Sequence, residues 1–125
     1  MKRKGGISGA CGEELAAKRL KAEGYRIVDR NWRCRQGELD IVALDGKTLV
    51  FVEVKARGEG ARTTPLEAVD RHKQRKLIKA AKQYISEKNL AYLGARFDVV
   101  TVTQGGASPT IEIISDAFML EGGWE

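Results

Sequence analysis

Two carboxylates and a lysine lie close together on segments that a tight turn joins. Asp40 belongs to GELDIVA (37–43), and Glu53 and Lys55 belong to FVEVKAR (51–57), with Asp45-Gly46 between the segments. An Asp-Gly pair between β-prone runs is typical of a hairpin. Carboxylates bind hard divalent cations, which polarise a phosphoryl group and generate hydroxide, and a nearby lysine can orient that nucleophile. The pattern indicates metal-assisted hydrolysis of a phosphodiester.

The alternation of side chains along the two predicted strands allows a simpler interpretation. A hairpin with one solvated face carries similar charges. However, the run LVFVEV (49–54) is apolar on both faces before the charges appear, which indicates a central strand, and buried ionisable groups are usually paired or bound to metal. A period of two predicts shared faces for three groups of residues. These groups are Glu38, Asp40 and Val42; Leu39, Ile41 and Ala43; and Phe51, Glu53, Lys55 and Arg57.

The first helix carries two neighbouring glutamates that the helical period separates. Glu13 falls within the apolar stripe of Ala16, Ala17 and Leu20, whereas Glu14 shares a face with lysines. An inward glutamate needs a partner, and a shared metal ion would supply one. We therefore expect Glu13 to support the site, directly or through water.

The elements that must position these residues follow from periodicity, turns and caps. Helices are predicted from residue 8 or 9 to 23, ending at Gly24, and over 65–89, where Pro65 lies in the first turn. Strands are predicted over 25–32, 37–44, 47–57, 97–103 and 110–114. The order αβββαββ favours an α/β sandwich with a mixed sheet and excludes a Rossmann fold.

The length, net charge and cysteine content of the chain limit the classes of protein to which it can belong. The 125 residues suit a single domain, with residues 1–8 as a flexible basic arm and 121–125 as a tail. The net charge of +5 favours a polyanionic partner. Cys11 and Cys34 lack metal-site spacing, so we expect free thiols. No apolar run predicts a signal peptide or a membrane span, and we expect a cytoplasmic protein.

Several motifs together resemble those of the YraN-like family of small bacterial proteins. They are GACGEELA (9–16), Asn31, GELDIVA, FVEVKAR, Lys73 with Gln74, and RFDVV (96–100). The family is similar to the PD-(D/E)xK nuclease superfamily, which has a restriction-endonuclease-like fold, and to archaeal Holliday-junction resolvases. The resemblance implies catalytic roles for Glu13, Asp40, Glu53 and Lys55, and a Mg²⁺ or Mn²⁺ ion held by Asp40, Glu53 and Glu13. Leu39 stands where the superfamily pattern has proline.

Our leading hypothesis is a metal-dependent nuclease that acts on structured or branched DNA and, by analogy with enzymes that cut two strands, forms a homodimer. Candidate nucleic-acid contacts are Arg57, Arg62, Lys73 and Gln74. Because Lys73 lies within an apolar helical stripe, it either covers the edge of the core or reaches the site. Two other functions stay open: a non-catalytic DNA-binding module, and a protein-interaction adaptor in DNA maintenance. Asp98, within a β-branched strand, is interpreted as structural.

Overall fold

The computed structural model describes residues 9–58 and 70–118. Within them the element order is αβββαββ, as predicted. The elements are α1 (Gly9–Ala22), β1 (Arg26–Cys34), β2 (Gly37–Asp45), β3 (Thr48–Arg57), α2 (Arg71–Glu87), β4 (Gly94–Thr103) and β5 (Thr110–Phe118). No helix in this part of the chain is both long and apolar enough to cross a membrane.

The described strands form one mixed sheet in the order β1-β2-β3-β4-β5. β1, β2 and β3 pair antiparallel, β3 and β4 pair in parallel, and β4 and β5 pair antiparallel. The parallel pairing follows from α2, because a helical crossover returns the chain to the same end of the sheet. β3 is the central strand, and Val50, Phe51 and Val52 are buried on its two faces. The predicted fold class is confirmed.

Each helix covers one face of the sheet, which gives two cores. The α1 core contains Ala16, Ala17, Leu20, Ile41, Ala43, Val50, Val52, Val100 and Val102. The α2 core contains Leu39, Val42, Leu49, Phe51, Leu77, Ile78, Ala80, Ala81, Tyr84, Phe97 and Val99. The sheet therefore has no solvated face in its centre, and any charge there must be paired.

The predicted alternation along β2 is wrong at one point. Leu39 packs in the α2 core with Val42, whereas Ile41 and Ala43 pack in the α1 core. The opposite strand contains Asn31 in the left-handed conformation (φ 54°), between the paired positions of Arg30 and Trp32. A left-handed residue interrupts the regular two-residue alternation of a strand, and the side chains on either side of it then face opposite cores.

The second helix begins later than predicted. Asp70 is its N-cap, with an extended backbone (φ −73°, ψ 174°) and a side chain that accepts a hydrogen bond from the Lys73 backbone N–H. The helix therefore begins at Arg71, because an extended residue interrupts the helical path. Residues 65–69 of the predicted helix lie outside the described residues, as do the predicted arm and tail.

Strand and helix ends differ from prediction by a few residues elsewhere. β1, β4 and β5 extend beyond their predicted ends because backbone pairing continues where the alternation of side chains stops. Gly24 has a positive φ of 98° after α1, as expected of a residue that ends a helix.

Candidate functional site

Asp40 and Glu53 lie at the point where β2 and β3 separate. Their ladder ends at Ile41 paired with Val52, so Asp40 and Glu53 are the next residues along each strand. β2 continues beside β1 and β3 continues beside β4, which leaves a wedge between β2 and β3. The Asp40 Oδ2 atom accepts a hydrogen bond from the Val54 backbone N–H at 2.9 Å. The carboxylate therefore satisfies an N–H that would otherwise lack a strand partner.

Burial and a neighbouring carboxylate raise the pKa of Asp40 to about 7. Burial is the largest cause, followed by the negative charge of Glu53; the Val54 N–H acts in the opposite direction, and Glu13 adds a further increase. Glu53 is 5% exposed. Two carboxyl groups held this close favour either a shared proton or a bound cation.

Two lysines approach Glu53 from different elements. The Nζ of Lys73, on α2, lies 2.7 Å from Glu53 Oε2, and the Nζ of Lys55, on β3, lies 3.6 Å from the same oxygen. Burial lowers the pKa of Lys55, and the nearby Lys73 ammonium lowers it further. Burial is the largest influence on the pKa of Lys73 and acts to lower it, but the hydrogen bond to Glu53, the contact with Lys55 and the charges of Glu53 and Asp40 together raise the pKa.

Glu13, on α1, is close enough to Asp40 for its charge to raise the pKa of that group. Its side chain is 18% exposed, compared with 59% for Glu14. Arg30 lies between them, with a 3.0 Å contact to Glu14 and a 3.9 Å contact to Glu13. The pKa of Glu14 is lowered by its hydrogen bond and charge interaction with Arg30, so its main partner is this arginine and not the helix lysines. Glu13 has the partly inward position that the sequence predicts.

A cleft of about 410 Å³ opens over the buried Glu53 and the half-buried Asp40. Residues of β2, β3 and the beginning of α2 line it: Gly37, Glu38, Asp40, Glu53, Asp70, His72, Lys73, Lys76 and Leu77. The cleft has an acidic floor and two lysines, Lys73 and Lys76, on its helical wall. This arrangement suits a ligand that combines a divalent cation with a phosphate.

The donor atoms fit a small hard cation. Magnesium is commonly held by one or two carboxylates, with water and substrate phosphate completing its shell, and Asp40 with Glu53 provides such a pair. Across residues 9–58 and 70–118, no three Asp, Glu, His or Cys side chains are grouped so that they could hold a metal ion. The ligand set of Asp40, Glu53 and Glu13, and the choice of Mg²⁺ or Mn²⁺, therefore stay predictions.

The predicted nucleic-acid contacts do not all lie at the site. Lys73 was predicted either to cover the edge of the core or to reach the site. It reaches Glu53, so the second prediction is correct. Arg57 and Gln74 are half-buried, at the end of β3 and on α2, and Arg62 lies outside the described residues. Sequence reasoning gave His72 no role at the site, yet it lines the cleft. The feature of the sequence that could have indicated this position is that His72 lies next to Lys73 in the first turn of α2.

The fold and this site define a small α/β protein with two adjacent carboxylates, one buried and one half-buried, where two strands separate. The chain belongs to the uncharacterised protein family UPF0102, whose sequence model matches residues 12–102. This confirms the resemblance to the YraN-like proteins.

Relatives from several bacteria match nearly the whole chain. UPF0102 protein GSU0650 of Geobacter sulfurreducens is 50% identical over 115 residues, which cover 91% of this chain and 90% of the relative. The UPF0102 protein of Syntrophus aciditrophicus is 46% identical over 116 residues, covering 93% and 91%. That of Rhodococcus opacus is 47% identical over 111 residues, covering 88% and 94%.

Among solved structures, the chain is similar to SfsA of Pyrococcus furiosus in complex with Ca²⁺. The TM-score is 0.36 and the identity 18%; the match covers 86% of this chain and 60% of SfsA. A likeness this distant carries no argument about the site.

Proposed function

We propose that this protein is a metal-dependent nuclease that hydrolyses phosphodiester bonds in structured or branched DNA, as junction resolvases do. The observation that carries the proposal is the pair of adjacent carboxylates at the base of an open cleft, of which Glu53 is buried and Asp40 is half-buried. Burying two like charges side by side is unfavourable for folding, so their presence favours a role in binding a cation.

The side chains would divide the chemistry among them. Asp40 and Glu53 would hold a Mg²⁺ or Mn²⁺ ion, with Glu13 as a further ligand, directly or through water. Such an ion supplies a polarised phosphoryl group and a water that ionises near neutral pH. Lys55 would orient the attacking water or stabilise charge on the phosphoryl oxygens.

The exposed face of α2 supports a polyanionic substrate. Arg71, Arg75, Lys76 and Lys79 are exposed there, and no described carboxylate forms an ion pair with any of them. Like charges one helical turn apart are mildly destabilising in the free protein. Phosphates along a nucleic-acid backbone would neutralise this face, which continues into the wall of the cleft.

Symmetric cleavage of two strands requires two sites, so the proposal includes a homodimer. A mass measurement by light scattering after gel filtration would test it, with twice the chain mass of 13.8 kDa expected.

One observation favours a second candidate, a non-catalytic DNA-binding module. Lys73 already neutralises Glu53 at 2.7 Å, so the buried charge has a partner without any metal. A site in which this pairing is permanent would bind the backbone and not cleave it.

Cleavage of end-labelled nucleic acids tests the two candidates. Single strands, duplex, flap, four-way junction and RNA would each be incubated with Mg²⁺, Mn²⁺ or EDTA. We expect metal-dependent cutting of the branched DNA, reduced on the order of a hundredfold or more in Asp40→Asn and Lys55→Ala. Glu112→Gln, which removes an exposed acid on β5, is the matched control and should cut normally.

Three results would decide against the nuclease. These are no cutting with either metal, cutting that survives both site substitutions, and cutting that is equal in EDTA. Retained binding that weakens steeply with salt would then favour the DNA-binding module.

A further inference from the structure

We propose that Lys73 is the resident counter-ion of Glu53 in the metal-free protein and that a divalent cation displaces it. This inference rests on the metal site of the proposed function and assigns to that site a residue outside the E-x-K motif. Lys73 would then set the metal affinity of the site.

The contact distances identify Lys73, and not Lys55, as the closer partner of Glu53. The Lys73 ammonium lies 2.7 Å from Glu53 Oε2, within direct hydrogen-bonding distance, while the Lys55 ammonium lies 3.6 Å away. A charge-assisted N–H···O bond has a length of about 2.7–2.9 Å. Lys73 thus makes the short, direct bond to the carboxylate, although only Lys55 belongs to the same motif as Glu53, FVEVKAR.

The two partners differ in how freely they can move. The Glu53 side chain is 6% exposed, whereas the Lys73 side chain is 42% exposed. The backbone at Lys73 is fixed, because its N–H donates to Asp70 Oδ1 at 2.9 Å. Its side chain crosses the cleft from α2 on a flexible four-carbon stem, so the ammonium can leave Glu53 without any change in the helix.

Lys73 and a metal ion compete for the same oxygen. A divalent cation bound by Glu53 beside Asp40 would repel the ammonium at its present 2.7 Å distance. The cleft of about 410 Å³ gives the displaced ammonium space in which to meet the phosphate of a bound substrate. The site would therefore exchange the Lys73 ammonium for a divalent cation. A positive charge would lie beside the two carboxylates both with and without the metal.

The test measures Mn²⁺ binding by calorimetry at one pH and without nucleic acid. Wild type, Lys73→Gln, Lys73→Arg and Lys76→Gln are compared. We expect Lys73→Gln to bind Mn²⁺ on the order of tenfold more tightly, because the competing cation is gone. Lys73→Arg keeps the charge and should stay within about threefold of wild type. Lys76→Gln removes a cation of the same cleft that has no bond to Glu53, and should change the affinity less than about twofold.

A second background separates competition from general electrostatics. In Glu53→Gln, the carboxylate for which Lys73 and the metal compete is absent. Adding Lys73→Gln to that variant should leave the residual Mn²⁺ affinity unchanged. If Lys73→Gln does not fold, Lys73→Met replaces it, since methionine keeps the apolar part of the side chain and removes the charge.

Each outcome bears on the proposal. Equal Mn²⁺ affinity in wild type and Lys73→Gln overturns the inference and leaves the nuclease proposal standing. Weaker binding in Lys73→Gln also overturns it, since Lys73 would then support the site and not compete for it. Absence of Mn²⁺ binding in all variants overturns both. Tighter binding without any cleavage supports the counter-ion and counts against the nuclease.

Discussion

Two polar clusters lie almost level along the strands, on opposite faces of the sheet. Asp98 pairs in register with Val52, and the next pair along the same two strands includes Glu53. Successive residues of a strand face opposite sides. Asp98 therefore faces the α1 side and Glu53 the α2 side. The same depth in one sheet thus holds two buried carboxylates with different surroundings.

The cluster around Asp98 is matched, which means that the buried carboxylate has an arginine as its ionic partner and accepts further hydrogen bonds. Arg96 Nε donates to Asp98 Oδ1 at 2.9 Å, Tyr25 O–H donates to Asp98 Oδ2 at 2.9 Å, and the backbone N–H of Asp116 donates to Oδ1 at 2.9 Å. Arg96 also meets Asp45 at 3.0 Å. Its hydrogen bond to Asp98 raises the pKa of Arg96. Burial raises the pKa of Tyr25, so both groups keep their usual protonation state over a wide pH range.

The cluster around Glu53 is unmatched at Asp40: Lys73 pairs with Glu53, but Asp40 forms no ion pair with any described residue. Asp40 lies beside it with a pKa raised to about 7, and two lysines crowd the same oxygen. Groups of like charge therefore lie side by side in this cluster, although the stability of the fold does not require them there. The contrast indicates that the α1-side cluster stabilises the fold and that the α2-side cluster is held for binding at some cost in stability.

The largest expected effect is on the matched side. Asp98→Ala removes a fully buried carboxylate and leaves the Arg96 guanidinium without its main partner, so we expect the free energy of unfolding to fall by about 3–5 kcal/mol. Urea unfolding followed by circular dichroism measures it. Asp45→Asn, the half-exposed partner of the same arginine, should cost less than about 1 kcal/mol. Equal losses for the two variants would show that burial of Asp98 contributes nothing.

Removing a carboxylate on the unmatched side should have the opposite sign. The pKa of Asp40 is raised in the folded state, from an ordinary value near 3.8 to about 7. Its contribution to stability is therefore fully present below about pH 4 and is lost as the pH rises through 7. Asn cannot ionise and can still accept from the Val54 N–H. Asp40→Asn should thus match wild type near pH 4 and exceed it by roughly 2–4 kcal/mol at pH 8.

Urea unfolding of both proteins at pH 4, 6 and 8, in EDTA, measures this difference. Asp45→Asn serves again as the matched control and should not exceed wild type in stability at pH 8, because it removes an ion pair with Arg96. An Asp40→Asn variant less stable than wild type at pH 8 would mean that the carboxylate stabilises the fold, and the contrast between the clusters would fail.

The sequence was sufficient for some features because they depend on local pattern. The order of elements and the central position of β3 follow from turns, caps and a run that is apolar on both faces. Glu53 and Lys55 share a face because they are two residues apart. Asp98 was interpreted as structural because it stands alone in a β-branched strand, and its arginine pair agrees with this.

Other features depend on long-range packing, which periodicity does not reveal. The bond between Lys73 and Glu53 requires the docking of α2 on the sheet, and the helical stripe left two positions open for the lysine. The beginning of α2 was misplaced because both Pro65 and Asp70 are residues that begin helices. The switch of faces in β2 depends on a left-handed residue in the neighbouring strand. The alternation of side chains in β2 itself does not reveal that residue.

The smallest expected effect concerns that left-handed residue. Asn31 has φ 54° beside the point where the side chains of β2 change faces, next to Asp40. Asparagine tolerates this conformation better than most residues, and alanine should cost about 1 kcal/mol of unfolding free energy, while glycine should cost almost nothing. Urea unfolding of Asn31→Ala and Asn31→Gly measures both. Asn89, with φ 57° after α2, provides the matched control far from Asp40 in the sequence.

The two asparagines should differ in what else they change. Asn89→Ala should lose a similar free energy and leave Mn²⁺ binding as in wild type, because the helix end takes no part in the cleft. Asn31→Ala should weaken Mn²⁺ binding as well, since a shift of β1 moves the β2 residue that carries the Asp40 carboxylate. If both variants bind Mn²⁺ as wild type does, the left-handed residue serves the packing of the two cores alone, and the wedge between β2 and β3 is sufficient to position the site.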